Sequence, residues 1–307
     1  MNRNHRILIT GASGYIGNLL YHSLRQRGEH VWGIDLRPAG DVIAMDIRDD
    51  KLGDFCSARG ITHVVHLASI VQPGMDAALE YDIDVNGTKN VLNACVATGV
   101  RHLTVTSSGA AYGYHADNPD WIDEQQPLRG NDSFSYSRHK RLVEELMAEY
   151  RQQHPQLAQL VFRPGTVVGA ETANMITRLF SGRFVLGLRG CRSPFVFIWD
   201  QDLVDLLADG VARSVTGIYN VAGDGAVTLR EIGEILGKPV LEVPIWFLKV
   251  VLSITKPLRI TRYGPDQIMF MQYRPVLSNH KLRTEFGHRL KKSSREAFEY
   301  FARHVKE

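Results

Sequence analysis

Tyr136 and Lys140 stand four residues apart in the stretch "SYSRHK", Ser135 to Lys140, at the start of a run with helical periodicity. That spacing puts both side chains on one helix face. A phenol ionises near pH ~10, and using it as an acid or base near neutrality takes about 4 kcal/mol of stabilisation of the charged form. An ammonium about 4 Å away, at an effective dielectric of about 20, supplies about that much. The pair is a sufficient proton-transfer device if water is partly kept away. The bare spacing also occurs on ordinary solvated helices, so the surrounding elements have to decide.

"LITGASGYIG" places Gly11, Gly14 and Gly17 directly after a strand pattern and at the opening of a helix. Glycine permits positive φ and close backbone approach, and a helix N-terminus offers free N–H groups to a pyrophosphate. The spacing is GxxGxxG rather than the more familiar GxGxxG. Asp35 follows at the end of the next strand, where a carboxylate would hydrogen-bond the ribose hydroxyls of an adenosine and repel a 2′-phosphate. NAD is thereby preferred. Arg37 is near enough to accommodate the phosphate, which leaves NADP open.

The elements that must position these residues alternate in kind. "RILIT", "HVWGID", "DVIAMD", "THVVHLA", "HLTVTSS" and "LAQLVFRP" read as strands, separated by helical runs such as "YIGNLLYHSLRQRG", "DVNGTKNVLNACVATG" and the stretch from about Tyr136 to Gln153. This rhythm predicts an α/β fold with a parallel sheet covered on both faces. Beyond Gly169 the pattern changes: "FVFIW" and "GIYNVAG" still read as strands, whereas "TLREIGEILG" and "PIWFLKVVLSI" read as helices of a smaller lobe. The expected division is a dinucleotide-binding domain over 1–170, rejoined by 196–222, with 171–195 and 223–307 forming an interleaved substrate lobe.

The chain has 307 residues with 36 Lys plus Arg against 33 Asp plus Glu, and the basic residues are scattered among acidic ones. That predicts no binding to nucleic acid or an anionic membrane. Cys56, Cys95 and Cys191 fit neither a disulfide framework nor a zinc site, and a reducing, cytoplasmic setting is expected. The apolar run at the N-terminus, Ile7 to Ile9, is too short for a signal-peptide core. The richest apolar run, Val240 to Ile254, is interrupted by Glu242, Pro244 and Lys249 and falls short of a bilayer span.

The motifs "TGASGYIG", "VVHLAS", "VNGTKNVLNAC", "TSSGAAYG", "YSRHK" and "FRPGTVVG", in that order and spacing, resemble the extended short-chain dehydrogenase/reductase family of NAD-dependent epimerase/dehydratase type. "GIYNVAGDGAVTLREIGEILG" is similar to that family's C-terminal portion. The resemblance implies a Rossmann-type doubly wound parallel sheet with a smaller C-terminal substrate lobe. It makes Tyr136 the general acid/base, with Lys140 lowering its pKa and holding the nicotinamide ribose. Ser108 would hydrogen-bond the substrate oxygen, with Ser107 and Thr106 as competing candidates. Gly11, Ser13, Gly14, Tyr15, Ile16 and Gly17 would hold the cofactor's phosphates, and Asp46 and Ile47 would meet the adenine. Leu67, Ala68 and Ser69 would line the cofactor's path, Asn86 and Thr106 would support it, and Pro164 would approach the nicotinamide. A homodimer through two helices of the first domain is also implied.

Two departures from the family pattern stand out. His139 occupies a position where many members carry serine, and its expected role is an exposed substitution facing away from the Tyr136 and Lys140 side. Trp199 lies where sugar-nucleotide relatives often have histidine, and packing between the lobes is its expected role. His63 and His66, three apart on a strand, point to opposite faces and do not form a metal site.

Three functions are compatible with these parts. The first is an NAD-dependent dehydrogenase or reductase of a small, partly apolar substrate. The second is a nucleotide-sugar epimerase with NAD turned over internally, and the third a non-catalytic dinucleotide sensor. Gly109 and Ala110 stand where dehydratases carry an acidic pair, and Phe195 stands where epimerases carry an arginine. Trp246, Phe247, Leu248, Ile254, Met269, Phe270 and Met271 are candidates either for an apolar pocket or for ordinary core. Arg189, Arg192, Arg259 and Arg262 are candidate phosphate clamps. These features favour the dehydrogenase, with the epimerase next.

Overall fold

The computed structural model describes residues 5–71, 76–191, 193–258, 261 and 264–305. Its chain clusters into two compact units. The first comprises Met1–Ser108, His139–Arg163 and Asp200–Tyr219, and the second Gly109–Arg138, Pro164–Trp199 and Asn220–Glu307.

In the first unit β1 (Arg6–Thr10), β2 (His30–Asp35) and β3 (Ile43–Ala44) alternate with α1 (Tyr15–Gln26) and α2 (Leu52–Arg59). β4 (His63–His66) leads through α3 (Ala77–Tyr81) and a π-turn, Asp82–Asn86, into α4 (Gly87–Ala97) and β5 (His102–Thr106). After an excursion the chain returns along α5 (Ser135–Gln153) to β6 (Ala158–Pro164). The sheet order is β10-β6-β5-β4-β1-β2-β3, and the pairs from β6 to β3 run parallel. This is the parallel α/β sheet expected from the sequence.

The order reverses between β1 and β4, and a crevice at such a switch point is where open α/β sheets take ligands. The glycine turn follows β1 and Leu67 to Ser69 follow β4, so the topology itself puts those segments side by side. All four residues of β4 are buried, as a central strand covered on both faces requires. Its histidines leave on opposite sides: His63 Nε2 meets Ser214 Oγ at 3.1 Å, and His66 Nε2 meets Thr88 Oγ1 on α4 at 2.9 Å. The core beneath is aliphatic, built around Leu8, Val64, Leu103 and Val161 from four neighbouring strands.

The second unit holds β7 (Thr166–Val168), α6 (Met175–Arg178), β8 (Val185–Leu188) and β9 (Phe197–Trp199). From the first unit's α7 (Asp200–Arg213) and β10 (Gly217–Val221) the chain re-enters it. There follow α8 (Leu229–Leu236), β11 (Val240–Val243), α9 (Ile245–Thr255), α10 (Met269–Gln272) and α11 (Ser294–Val305). β9 pairs with β7 in a separate small sheet rather than with the large one, and β8 pairs with β11. Thr228 and Glu231 form a reciprocal cap that starts α8, and Gly237 at φ 66° ends it. The core is aromatic. Phe195 stacks on Phe197 at 5.8 Å, and Phe197 meets Phe298 of α11 at 4.8 Å. Trp199 packs edge-on against Tyr300 in the same unit, with the Lys292 ammonium 4.5 Å from its ring centre.

The apolar residues expected to form a pocket or core divide. Phe270 is buried, whereas Trp246, Phe247 and Ile254 are exposed, so neither expectation covers those three. No helix among the described residues is long and apolar enough to cross a membrane.

Candidate active site

The glycine turn is built so that no side chain fits within it. Gly11 has φ 70°, and a Cβ there would lie 2.7 Å from the Ala68 amide nitrogen. A Cβ on Gly17 would lie 2.0 Å from the Gly11 carbonyl oxygen. Gly14 caps α1 with extended backbone and no side-chain bond, leaving the helix N-terminus free for an anion. Asp35 accepts from the Ser13 N–H at 3.1 Å and the Arg37 N–H at 3.0 Å, which fixes its carboxylate beside the turn. Ser13 Oγ accepts from the Ala39 N–H, and the Tyr15 hydroxyl donates to Asp200. The residues fit a dinucleotide: a close-approach glycine turn, a helix start and a positioned carboxylate lie together in one unit.

Two other expected contacts are otherwise engaged. The Asp46 carboxylate is held by Arg48, whose guanidinium continues to Asp82 at 2.7 Å. Those hydrogen bonds, opposed by partial burial, keep Asp46 below the usual carboxylate range. The Ile47 side chain belongs to the core and abuts Gly87, so the backbone of this segment is what a ligand would meet.

A buried polar network lies at the far ends of β4 and β5. Lys140 is 7% exposed, and its Nζ donates to the Thr106 carbonyl at 3.2 Å. Burial lowers its pKa, opposed by the charges of Asp84 and Glu144. Asp84 Oδ1 accepts from Ser69 Oγ at 3.1 Å and from the Ile70 N–H at 2.8 Å, while Oδ2 meets His139 Nδ1 at 2.9 Å. Burial pushes the Asp84 pKa up, but the His139 bond, Lys140 and the Ile70 amide outweigh it and the net direction is down. Glu144 is clamped by Arg163 at 2.6 Å and accepts from Ser107 Oγ at 2.5 Å, all three buried. Ser107 is therefore committed to the core, which leaves Ser108, half-buried at the strand's end, as the serine candidate.

His139 corrects an expectation: it is 3% exposed and paired with Asp84, not a surface substitution. The exposed member of the stretch is Arg138. Asn86, the expected cofactor support, is exposed and donates its amide to Asp82 at 2.8 Å. The inward-facing acid of that segment is Asp84. The segment is a π-turn, which inserts an additional residue into a helical turn and shifts the side-chain phase.

In the second unit Tyr136 lies on the first turn of α5, one turn before Lys140 on the same helix. Its ring is 6.0 Å from Phe134, which in turn lies 4.0 Å from Phe270, and Phe270 lies 4.7 Å from Tyr114. Burial, followed by the neighbouring Tyr136 phenol, raises Tyr114 above the ordinary phenol range. Ser137 Oγ donates to the Ala110 carbonyl at 2.6 Å and accepts from the Asn131 N–H at 3.0 Å, fixing the helix start to the turn Gly109–Tyr112. Pro164 ends β6 and is buried.

The sequence profile of the NAD dependent epimerase/dehydratase family matches residues 7–200. The chain belongs to that family. Its cofactor is NAD, and solved structures of similar fold are NAD complexes, among them the UDP-glucose 4-epimerase of Thermus thermophilus. That epimerase is 25% identical, superposes with a TM-score of 0.76, and the match covers 98% of this chain and 99% of that one. An uncharacterised Sinorhizobium fredii protein is 26% identical over 92% of this chain and 74% of its own length. The N-acetyl-alpha-D-glucosaminyl-diphospho-ditrans,octacis-undecaprenol 4-epimerase of Escherichia coli O157:H7 is 29% identical over 60% of this chain and 56% of its own.

Within this epimerase/dehydratase chain, one further cation was not signalled by sequence spacing. Arg274 is partly buried. It donates to the Met271 carbonyl at 2.6 Å and to the Ser193 carbonyl, and lies over the Phe195 ring at 3.9 Å. Its Nε is sealed from solvent and has no hydrogen-bond partner, and it has no carboxylate partner among the described residues. Burial lowers its pKa, opposed by Cys191 and Tyr114. Of the four arginines expected as clamps, Arg189 is exposed, and Arg192, Arg259 and Arg262 lie outside the described residues.

Proposed function

We propose that this chain catalyses reversible hydride transfer at a hydroxyl-bearing carbon of a diphosphate-linked sugar, in the manner of an epimerase. The observation that carries the substrate class is Arg274, a half-buried guanidinium that donates to two neutral backbone carbonyls and has no carboxylate partner among the described residues. Buried cations are normally paired, so an anionic ligand is the partner this one lacks. A sugar joined to a diphosphate is the chemistry common to the substrates named for the Thermus and Escherichia relatives.

Bound NAD supplies the hydride acceptor and donor. Tyr136 takes the proton from the substrate hydroxyl as the carbon loses hydride, and gives it back when hydride returns. Lys140 stabilises the phenolate from one turn away, and Ser108 hydrogen-bonds the reacting oxygen. Asp35 holds the adenosine ribose, and the glycine turn holds the pyrophosphate.

A net dehydrogenase or reductase of a partly apolar alcohol is the second reading. It is favoured by the wall of Phe134, Phe270 and Tyr114 beside Tyr136. One experiment separates the two. The NAD-loaded protein is incubated with UDP-glucose, UDP-N-acetylglucosamine and a panel of alcohols, following sugar stereochemistry by NMR and NADH by absorbance. Sugar interconversion without net NADH, with an increased KM in Arg274→Lys, is expected. NADH accumulation with an alcohol and no sugar turnover would overturn the epimerase reading.

A further inference from the structure

From Pro244 to Arg262 the sequence "PIWFLKVVLSITKPLRITR" contains Lys249, Lys256, Arg259 and Arg262 and no aspartate or glutamate. Within it α9 is apolar apart from Lys249, Ser253 and Thr255, a composition that belongs in a core or in lipid, yet none of its residues is buried. Ile245, Leu248, Val251 and Leu252 form a half-buried inner face, and the helix packs on the turn Pro265–Ile268. The outer face carries Trp246 at 67% exposure, Val250 at 51%, Ile254 at 56% and Phe247 at 47%.

At about 100° per residue, Trp246, Val250 and Ile254 fall along one stripe with Phe247 beside them. Lys249 and Lys256, both exposed, run along one edge of that stripe. Leu258 just beyond the helix is 64% exposed. Scattered exposed apolar residues need no explanation, but a contiguous stripe of this size on one helix does.

We propose that the outer face of α9 docks the protein on an anionic phospholipid surface, with the helix lying in the plane of the interface. Three observations choose lipid over protein. Trp and Phe flanked by lysines are the side chains that settle between acyl chains and headgroups. The segment's charge is uniformly positive and complementary to anionic headgroups, even though the chain as a whole is nearly balanced. A symmetric contact between two copies through this face would set Lys249 and Lys256 against their own counterparts with no acid on the helix to offset them. The nearest acid before the segment is Glu242, on β11. The expectation of no membrane partner rested on a near balance of charge and on basic residues scattered among acidic ones, a pattern from which this acid-free segment departs. A helix of 11 residues is too short to span a bilayer, so the contact is with one leaflet.

The test is flotation of the full chain, loaded with NAD, with vesicles of phosphatidylcholine and phosphatidylglycerol (7:3) against pure phosphatidylcholine at low salt. Co-flotation with the anionic vesicles, a blue shift of tryptophan emission and release at high salt are expected. Lys249→Glu with Lys256→Glu should weaken partition about tenfold or more, and Trp246→Ser with Ile254→Ser should abolish it. These exposed positions leave the fold intact, which circular dichroism checks. Absence of flotation with anionic vesicles overturns the proposal. So does equal flotation of the Ser variant, or a concentration-dependent dimer that the Ser variant dissociates without any vesicle binding by the parent.

Discussion

The first turn of α5 carries Tyr136 beside Phe134, with Phe270 and Tyr114 in the same aromatic cluster, whereas the next turn carries His139, Lys140 and Glu144 among buried carboxylates and cations. Burial, followed by the neighbouring Tyr136 phenol, raises Tyr114 above the ordinary phenol range. In the proposed mechanism the charge that stabilises an ionised Tyr136 is that of Lys140. In that turn burial lowers the Lys140 pKa, and the charges of Asp84 and Glu144 oppose the shift. The two turns divide by surroundings: aromatic residues adjoin Tyr136, and buried ion pairs adjoin Lys140.

This division breaks first at Tyr136. Tyr136→Phe keeps the ring in its cluster and removes only the hydroxyl. Turnover should fall about 10²–10⁴-fold with NAD affinity unchanged by titration; undiminished turnover would remove Tyr136 from the chemistry.

A second effect tests the charged unit through pH. Burial, then Lys140, lowers His66 to about 3, and burial, then His5, His102 and Arg101, lowers His63 to about 3. Unfolded imidazoles take a proton near pH ~6.5, so between that pH and the folded values the unfolded chain holds the additional protons. Stability is full above about 6.5 and falls as pH drops towards 3, by up to about 2.7 kcal/mol per pH unit for two histidines. Urea melts at pH 7, 5.5 and 4.5 measure this. A flat profile over that range would mean that the two histidines are not held neutral by the fold.

How far these features could be read in advance depended on whether their cause was local. The strands of the large sheet, the glycine turn and the place of Asp35 at a strand end are set by residues adjacent in sequence, and they were legible. So was the one-turn spacing of Tyr136 and Lys140. His139 was not, because its partner Asp84 lies 55 residues away, in a π-turn. Arg274 was not, because a sequence does not show which arginine lacks a carboxylate. Phe195 was noticed as a missing arginine, but its stacking on Phe197 in an aromatic core, with Arg274 above it, follows from tertiary packing alone.

A subtler break is Asp84→Asn, which keeps a group able to accept from Ser69 and Ile70 while removing the charge that faces Lys140 and His139. The lysine pKa, already lowered by burial, should fall further. The alkaline limb of the pH–rate profile should then move to lower pH, with kcat down about tenfold at neutrality, equivalent to about 1.4 kcal/mol. An unshifted profile would reduce Asp84 to a loop anchor.

The smallest effect separates the two units by ligand. Asp35 is fixed by the Ser13 and Arg37 amides, and those bonds leave acceptor capacity for ribose hydroxyls. In Asp35→Ala the hydroxyl contacts are lost for NAD, whereas for NADP the same change also removes a repulsion towards the 2′-phosphate and leaves Arg37 to receive it. NAD affinity should drop by about tenfold, the scale of a charged hydrogen bond, while NADP affinity changes little or improves. Substrate KM, which the proposed function assigns to Arg274 of the second unit, should stay where it is once the cofactor is saturating. Equal losses for both dinucleotides would remove the ribose contact from Asp35, and a parallel rise in substrate KM would erase the division between a cofactor-holding and a substrate-holding unit.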